Sequence, residues 1–354
     1  MNIYLKIWLD KNFGDDLMLY EMVDFFSSTG YIFYIHCNEK FQKFYNDLLK
    51  KFANIKLIDC PLREIRKYGR GFFKCVVLLG GSTLMGNRYT GCYYRFLNCR
   101  LFDKLRKEGT FYAIIGCNTG PFKNCFTEFF VKEELRKARL ITVRDKASFD
   151  YVKKHIEGSD CRYFPDILFG ISKTCLPNSK RQLGISVFSG EHERTVSFLT
   201  QLCDEYISYT DNRIKLLCFD VGSKSDLATA EAIHKSVSRK DKVEIVSHSS
   251  DCNYLIESIS ECDRVLAIRF HSAIIASVLN IPFLPFSYSN KMHNFLCDVY
   301  ETDKDFPIAK VSSSSVPDFL QQLLNDPIIP KPNWGDGNIG HFTALKEILE
   351  KSQE

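Results

Sequence analysis

Residues 263–291, D-R-V-L-A-I-R-F-H-S-A-I-I-A-S-V-L-N-I-P-F-L-P-F-S-Y-S-N-K, decide how this chain is read. The apolar run over 265–268 reads as a short buried strand. Arg269 and His271 follow it, and the apolar residues 273–279 read as a helix. A second apolar strand falls around 281–286, and Lys291 closes the stretch. Wholly apolar strands joined through helices belong to parallel sheets that are covered on both faces. Ligands of such sheets bind at the C-terminal ends of the strands, and a helix start favours negative charge there. Arginine grips a carboxylate or phosphate through two parallel hydrogen bonds, and histidine moves protons near neutral pH. The pattern therefore implies an anionic ligand that undergoes proton transfer.

The same alternation extends in both directions. Strand patterns fall at 3–9, 31–35, 55–58, 75–79, 111–115 and 140–143, with helical patterns at 15–27 and 40–52. Several of these strands end in glycine or charge: Gly80-Gly81, Gly116, Arg144-Asp145. The polar segment 172–181, which contains Pro177, reads as a linker. A second alternation follows it, with strands at 184–188, 214–219 and 243–246 and helices at 192–206, 224–238 and 254–260. Helical patterns at 316–325 and 342–351 close the chain. The expected fold class is α/β, with two Rossmann-like, doubly wound domains facing a cleft. The expected boundaries are 1–172, 182–340 and a closing C-terminal helix over 341–354.

Composition excludes several classes. A chain of 354 residues is too long for one small core. A formal net charge of +4, with no basic block interleaved with aromatics, gives no case for nucleic acid. The 14 cysteines form no C-x-x-C pair, so the expectation is buried free thiols in a reducing compartment, with no metal site. No uncharged run approaches the roughly 18 residues of a membrane span. The expected location is cytoplasmic, with peripheral membrane contact left open through residues 101–107 beside Arg95 and Arg100.

Other strand ends carry weaker signals. Asn12-Phe13-Gly14-Asp15 fits either a capped βα turn or a ligand loop in which Asn12 bonds the ligand. Gly80-Gly81-Ser82-Thr83 lets a ligand approach the backbone, yet it matches no phosphate-loop pattern. Gly116-Cys117-Asn118-Thr119-Gly120-Pro121 offers Asn118 and Thr119 to a ligand, or is a turn starting a helix with Pro121 in its first turn. Arg144 beside Asp145 is either a second anion grip or a structural ion pair. Ser272 joins the candidate binding residues. His293 is a secondary candidate, and His36, His155, His192, His234, His248 and His341 are given no role.

Together, N-F-G-D at 12–15, G-G-S-T-L at 80–84, G-C-N-T-G-P at 116–121 and V-R-D-K-A-S at 143–148 resemble the polysaccharide pyruvyl transferases. P-D at 165–166 and R-F-H-S…N-I-P-F…Y-S-N-K at 269–291 extend the resemblance, and the last is its most specific part. Ser82 stands where the family often has a third glycine, and Asp16 where it often has glutamate. The resemblance implies a glycosyltransferase-B type fold and transfer of the enolpyruvyl group of phosphoenolpyruvate onto two sugar hydroxyls. The product is a pyruvate ketal of a cell-surface polysaccharide, and the partners are phosphoenolpyruvate and a sugar or lipid-linked glycan. No cofactor is implied beyond the donor substrate. On this scheme Arg269, Arg144 and Lys291 hold the anion, His271 is the general acid, and Asp15 orients or deprotonates a hydroxyl. Asn12, Gly80, Gly81, Ser82, Asn118, Thr119 and Ser272 line the substrates. Tyr89, Tyr93 and Tyr94 are candidates for stacking on the acceptor. The alternative is a nucleotide-sugar-dependent glycosyltransferase on the same fold.

Overall fold

The computed structural model describes residues 1–59, 61–69, 71–85, 103, 109–122, 124–171, 181–190, 192–331 and 337–352. The tyrosines at 89, 93 and 94, the basic segment 101–107 apart from residue 103, and most of the linker lie outside them. The chain divides into two compact units. Met1–Leu9, Asp15–Gly170 and Gly335–Glu354 form the first; Asp10–Gly14 and Ile171–Trp334 form the second.

The first unit holds β1 (Asn2–Lys6), β2 (Ile32–His36), β3 (Ile55–Ile58), β4 (Cys75–Leu79), β5 (Phe111–Cys117), β6 (Leu140–Val143) and β7 (Cys161–Tyr163). They form one sheet in the order β3-β2-β1-β4-β5-β6-β7. Every pairing is parallel, with Tyr4 opposite Val76 and Val77 opposite Ala113. β4, C-V-V-L-L, is buried along its whole length, as a strand packed on both faces must be. The helices are α1 (Phe13–Phe25, of which Phe13 and Gly14 belong to the second unit), α2 (Gln42–Leu49), α3 (Pro61–Tyr68), α4 (Cys125–Arg136) and α5 (Lys146–His155). Asn124 caps α4 and Asp145 caps α5, each through its side-chain oxygen. Pro121 is not in the first turn of α4, contrary to expectation. The helix waits for the Asn124 cap, four residues after Gly120 with its positive φ.

The second unit holds β8 (Gln182–Ser186), β9 (Arg213–Cys218), β10 (Val243–Ser247), β11 (Arg264–Ala267), β12 (Phe283–Ser287) and the two-residue β13 (Phe306–Pro307). Their order is β10-β9-β8-β11-β12-β13, again all parallel. α6 (His192–Thr210), α7 (Leu227–Ser236), α8 (Cys252–Ser260), α9 (Phe270–Val278), α10 (Asn290–Phe295) and α11 (Val316–Asn325) accompany it. Leu183, Ile185, Leu216 and Leu266 from the sheet pack with Phe198, Leu202 and Phe319 from the helices. The last helix, α12, starts at Gly337 and runs to Lys351 in the first unit, so 337–340 part from the second unit where they were expected.

In both sheets the first strand sits in the middle and the order reverses beside it. The reversals lie between β1 and β4 and between β8 and β11. Such a topological switch point opens a crevice at the carboxyl ends of the two strands. Among the described residues no helix is long and apolar enough to cross a membrane. Eight of the ten described cysteines are buried, and burial pushes the thiols of Cys37 up to about 11 and Cys117 up to about 12. They pack as small hydrophobes rather than as nucleophiles.

Candidate active site

The switch point of the second sheet carries the densest chemistry. Ser186, the last residue of β8, accepts hydrogen bonds from the backbone N–H groups of Ile268 and Arg269, both at 2.8 Å. This fixes the turn from β11 into α9, whose N-cap is Arg269 and whose first turn holds His271. Ser272 was expected to bind substrate. It is instead fully buried and donates its hydroxyl to the Arg269 carbonyl. It helps to shape the turn.

The Arg269 guanidinium is held on several sides. Its Nε donates to Asp226 Oδ2 at 3.1 Å, and Nη2 donates to Asp226 Oδ1. Asp220 stands 3.8 Å from Nη2. The Phe188 ring lies 4.9 Å from the guanidinium carbon and is itself stacked on Tyr288 at 3.9 Å. Burial raises the pKa of both carboxyl groups against the pull of Arg269, and Asp226 reaches about 6. Lys291 lies in the first turn of α10, half-buried, after the neighbouring strand β12. Arg269, His271 and Lys291 thus occupy the carboxyl ends of two adjacent strands.

Residues 10–14 complete this edge. Phe13 N–H donates to the Phe219 carbonyl at 2.8 Å, and Val221 N–H donates to the Lys11 carbonyl at 3.1 Å. Asp10 accepts both the backbone N–H and the hydroxyl of Ser223. Asn12 bonds Asp220 at 3.4 Å and accepts from Gly14 N–H at 3.2 Å. Asn12 therefore ties the loop to the end of β9. Gly14 has a further constraint: a Cβ built on it falls 1.7 Å from His271 Nδ1. The imidazole occupies the space that any other residue at 14 would fill.

In the first unit, Gly80 and Gly81 end β4 with φ values of +56° and +69°, a conformation that costs glycine nothing and other residues 1–3 kcal/mol as a rough scale. Gly80 donates its N–H to the Ile115 carbonyl at 2.7 Å. A Cβ on Gly81 would stand 3.1 Å from Asp15 Oδ1, so Asp15 lies directly over this glycine turn, at the β1/β4 switch point. Ser82 follows on the same turn, half-buried.

Arg144, expected to grip an anion, is committed elsewhere. Its Nη1 pairs with Asp166 at 2.7 Å, its Nε donates to Asn118 Oδ1 at 2.6 Å, and its side chain is only 2% exposed. Asn118 passes the network on by donating to Asp145. Thr119 donates its backbone N–H to Ser148 at 2.7 Å. Arg144 and Asn118 thus lock the ends of β5, β6 and β7 together. A buried guanidinium must be paired, and Asp166 meets that need.

His341 was passed over in the sequence because nothing local marks it. It lies on α12, fully buried, with Nδ1 2.7 Å from the Thr142 hydroxyl and Nε2 2.9 Å from the Pro165 carbonyl. A carbonyl only accepts, so Nε2 carries the proton and donates. Burial pulls the His341 pKa down to about 4 from its ordinary 6.5. Between these values the unfolded chain binds a proton that the folded chain does not. Stability from this group is therefore complete above pH 6.5 and falls as the pH drops towards 4, by up to about 3 kcal/mol. The expected result is a melting temperature that declines across that window, and a shallower decline in His341→Gln.

No curated protein matches the chain by sequence. Among solved structures, UDP-GlcNAc 2-epimerase from Neisseria meningitidis bound to UDP-GlcNAc superposes with a TM-score of 0.66, at 10% identity, over 99% of this chain and 100% of that one. UDP-GlcNAc 2-epimerase from Methanocaldococcus jannaschii gives 0.62 at 12% identity over 99% of both chains. A glycosyltransferase from Rickettsia africae gives 0.53 at 10% identity, over 99% of this chain and 97% of that one. The two parallel sheets with their helices are thus a fold of the glycosyltransferase-B type. The model of the polysaccharide pyruvyl transferase family matches residues 12–290. The chain belongs to that family and is by membership a transferase of polysaccharide biosynthesis.

Proposed function

We propose that this protein transfers the enolpyruvyl group of phosphoenolpyruvate onto two hydroxyls of one sugar, forming a cyclic pyruvate ketal and releasing phosphate. The observation that carries the reading is the pairing of Arg269 with His271 on one turn at the β8/β11 switch point, within the stretch matched by the family. Phosphoenolpyruvate presents a carboxylate and a phosphate. Arg269 and Lys291 supply the opposite charge.

His271, as imidazolium, gives its proton to the methylene carbon, which becomes a methyl group. The adjacent carbon, now an oxocarbenium centre, takes the oxygen of the first sugar hydroxyl, and that hydroxyl loses its proton. The second hydroxyl then displaces phosphate at the same carbon and loses its proton in turn. Two C–O bonds and one C–H bond form. One C–O bond to phosphate and two O–H bonds break, so one proton restores the imidazolium and the other leaves with phosphate. Asp15 is assigned the proton of an attacking hydroxyl, and the Gly80-Gly81-Ser82 turn beneath it is assigned to the sugar. No other cofactor is needed for this balance.

Phosphate release is the direct test, with phosphoenolpyruvate and β-galactoside, mannosaminyl and glucosyl acceptors. The expected result is release only when an acceptor is present, and a rise in melting temperature with phosphoenolpyruvate alone. The nucleotide-bound epimerase of the same fold keeps one other reading in view, a glycosyltransferase using a nucleotide sugar. Tight binding of a nucleotide sugar, with no thermal shift from phosphoenolpyruvate, would establish that alternative instead.

A further inference from the structure

We propose that Asp226 is the positioning residue of the anion site: it holds the Arg269 guanidinium in one orientation so that the remaining N–H donors meet phosphoenolpyruvate. The inference rests on the reading above for the identity of the anion and goes beyond it in assigning Asp226 a task.

Asp226 occupies the N-cap position of α7, yet its side chain makes no capping bond. An aspartate there ordinarily accepts from the helix's first N–H groups and adds about 1 kcal/mol of stability. Here the capping role is given up. Both carboxylate oxygens turn to Arg269, which lies 43 positions away in the sequence. Asp226 is also fully buried, where a carboxylate is costly unless it is paired and hydrogen-bonded. The Asp220 N–H donates to Oδ2 at 3.0 Å, and the Asp226 N–H donates back to the Asp220 carbonyl at 2.6 Å. The carboxylate is thus itself immobilised by the turn after β9. A residue that departs from its local preference, at the cost of burial, does so for a long-range requirement.

That requirement is the geometry of one guanidinium. Ser186 fixes the Arg269 backbone, Phe188 covers one face, and Asp226 takes the Nε–Nη2 edge. An arginine side chain carries about 2 kcal/mol of rotamer entropy when free. Held in advance, it loses little of this when an anion arrives. Asp226 therefore contributes to affinity without touching the ligand.

The test is a double-mutant cycle on phosphoenolpyruvate binding, read by calorimetry, with melting temperatures checking each fold. Asp226→Asn should weaken binding about tenfold, the order of one charge-assisted hydrogen bond, with kcat at saturating donor changed less than about threefold. Arg269→Gln should weaken it further. The double variant, which leaves no buried charge unpaired at this pair, should bind no more weakly than Arg269→Gln alone. Unchanged binding in Asp226→Asn would overturn the proposal, as would a full tenfold loss added on top of Arg269→Gln, which would mark a general structural role. If the wild-type protein fails to bind phosphoenolpyruvate, the functional reading falls and this proposal with it. If wild type binds and only the cycle fails, the reading stands and the role of Asp226 does not.

Discussion

His271→Ala is expected to slow acceptor-dependent phosphate release by about 10²–10⁴-fold, the usual worth of a positioned general acid. Its affinity for phosphoenolpyruvate should stay within a few-fold of wild type. The split follows from the division of labour at the β8/β11 switch point. In the proposed reaction, binding rests on Arg269 and Lys291, whereas the imidazole acts only when the methylene carbon takes a proton. Ser186 holds the Arg269 turn through the backbone N–H groups, so the turn is expected to survive loss of the half-exposed ring. Single-turnover release in the variant, compared with wild type, measures the effect directly. Release at the wild-type rate would remove His271 from the chemistry and pass the proton to another group.

Gly14→Ala is expected to cost about 10²-fold in kcat, the scale of an ångström's misplacement of a reacting group. Gly14 lies in α1 with an ordinary negative φ. On helix propensity alone, alanine would stabilise this position by roughly 0.5–1 kcal/mol. The expected loss comes instead from the added methyl group, which would stand 1.7 Å from His271 Nδ1 and force the ring away. A histidine ring swings aside more easily than a backbone moves, so the variant should melt near the wild-type temperature while turning over slowly. Measuring both quantities on one preparation separates the two effects. A Gly14→Ala protein with full kcat would show that the reaction does not use the imidazole in this position.

Much of this architecture was legible in the chain. The runs at 75–79, 140–143 and 55–58 coincide with β4, β6 and β3, because apolar-rich segments of strand length, bounded by turn residues or charge, have few other uses. Arg269, His271 and Lys291 were visible as chemistry at strand ends for the same reason. Elements with mixed composition were not visible. The three-residue β7 has too few positions to show a period. α3, P-L-R-E-I-R-K-Y, is short and mostly polar, with no apolar run to mark it.

The partners of the charges were beyond reach. Arg144 beside Asp145 looks the same in sequence whether it grips a ligand or Asp166, and folding brings Asp166 to 2.7 Å. Nothing local in the sequence marks Asp226 or His341, and Ser272 reads as a ligand hydroxyl. Each is buried and taken by a residue tens or hundreds of positions away. Hydrophobic period and strand-end composition are local, set by which face of each element must leave water, and so the alternating fold and its reactive edges can be read from the chain. The pairing of a buried charge is set by what the packed sheets bring within 3 Å. For that reason only the folded protein shows which carboxylate each arginine meets, Asp166 for Arg144 and Asp226 for Arg269.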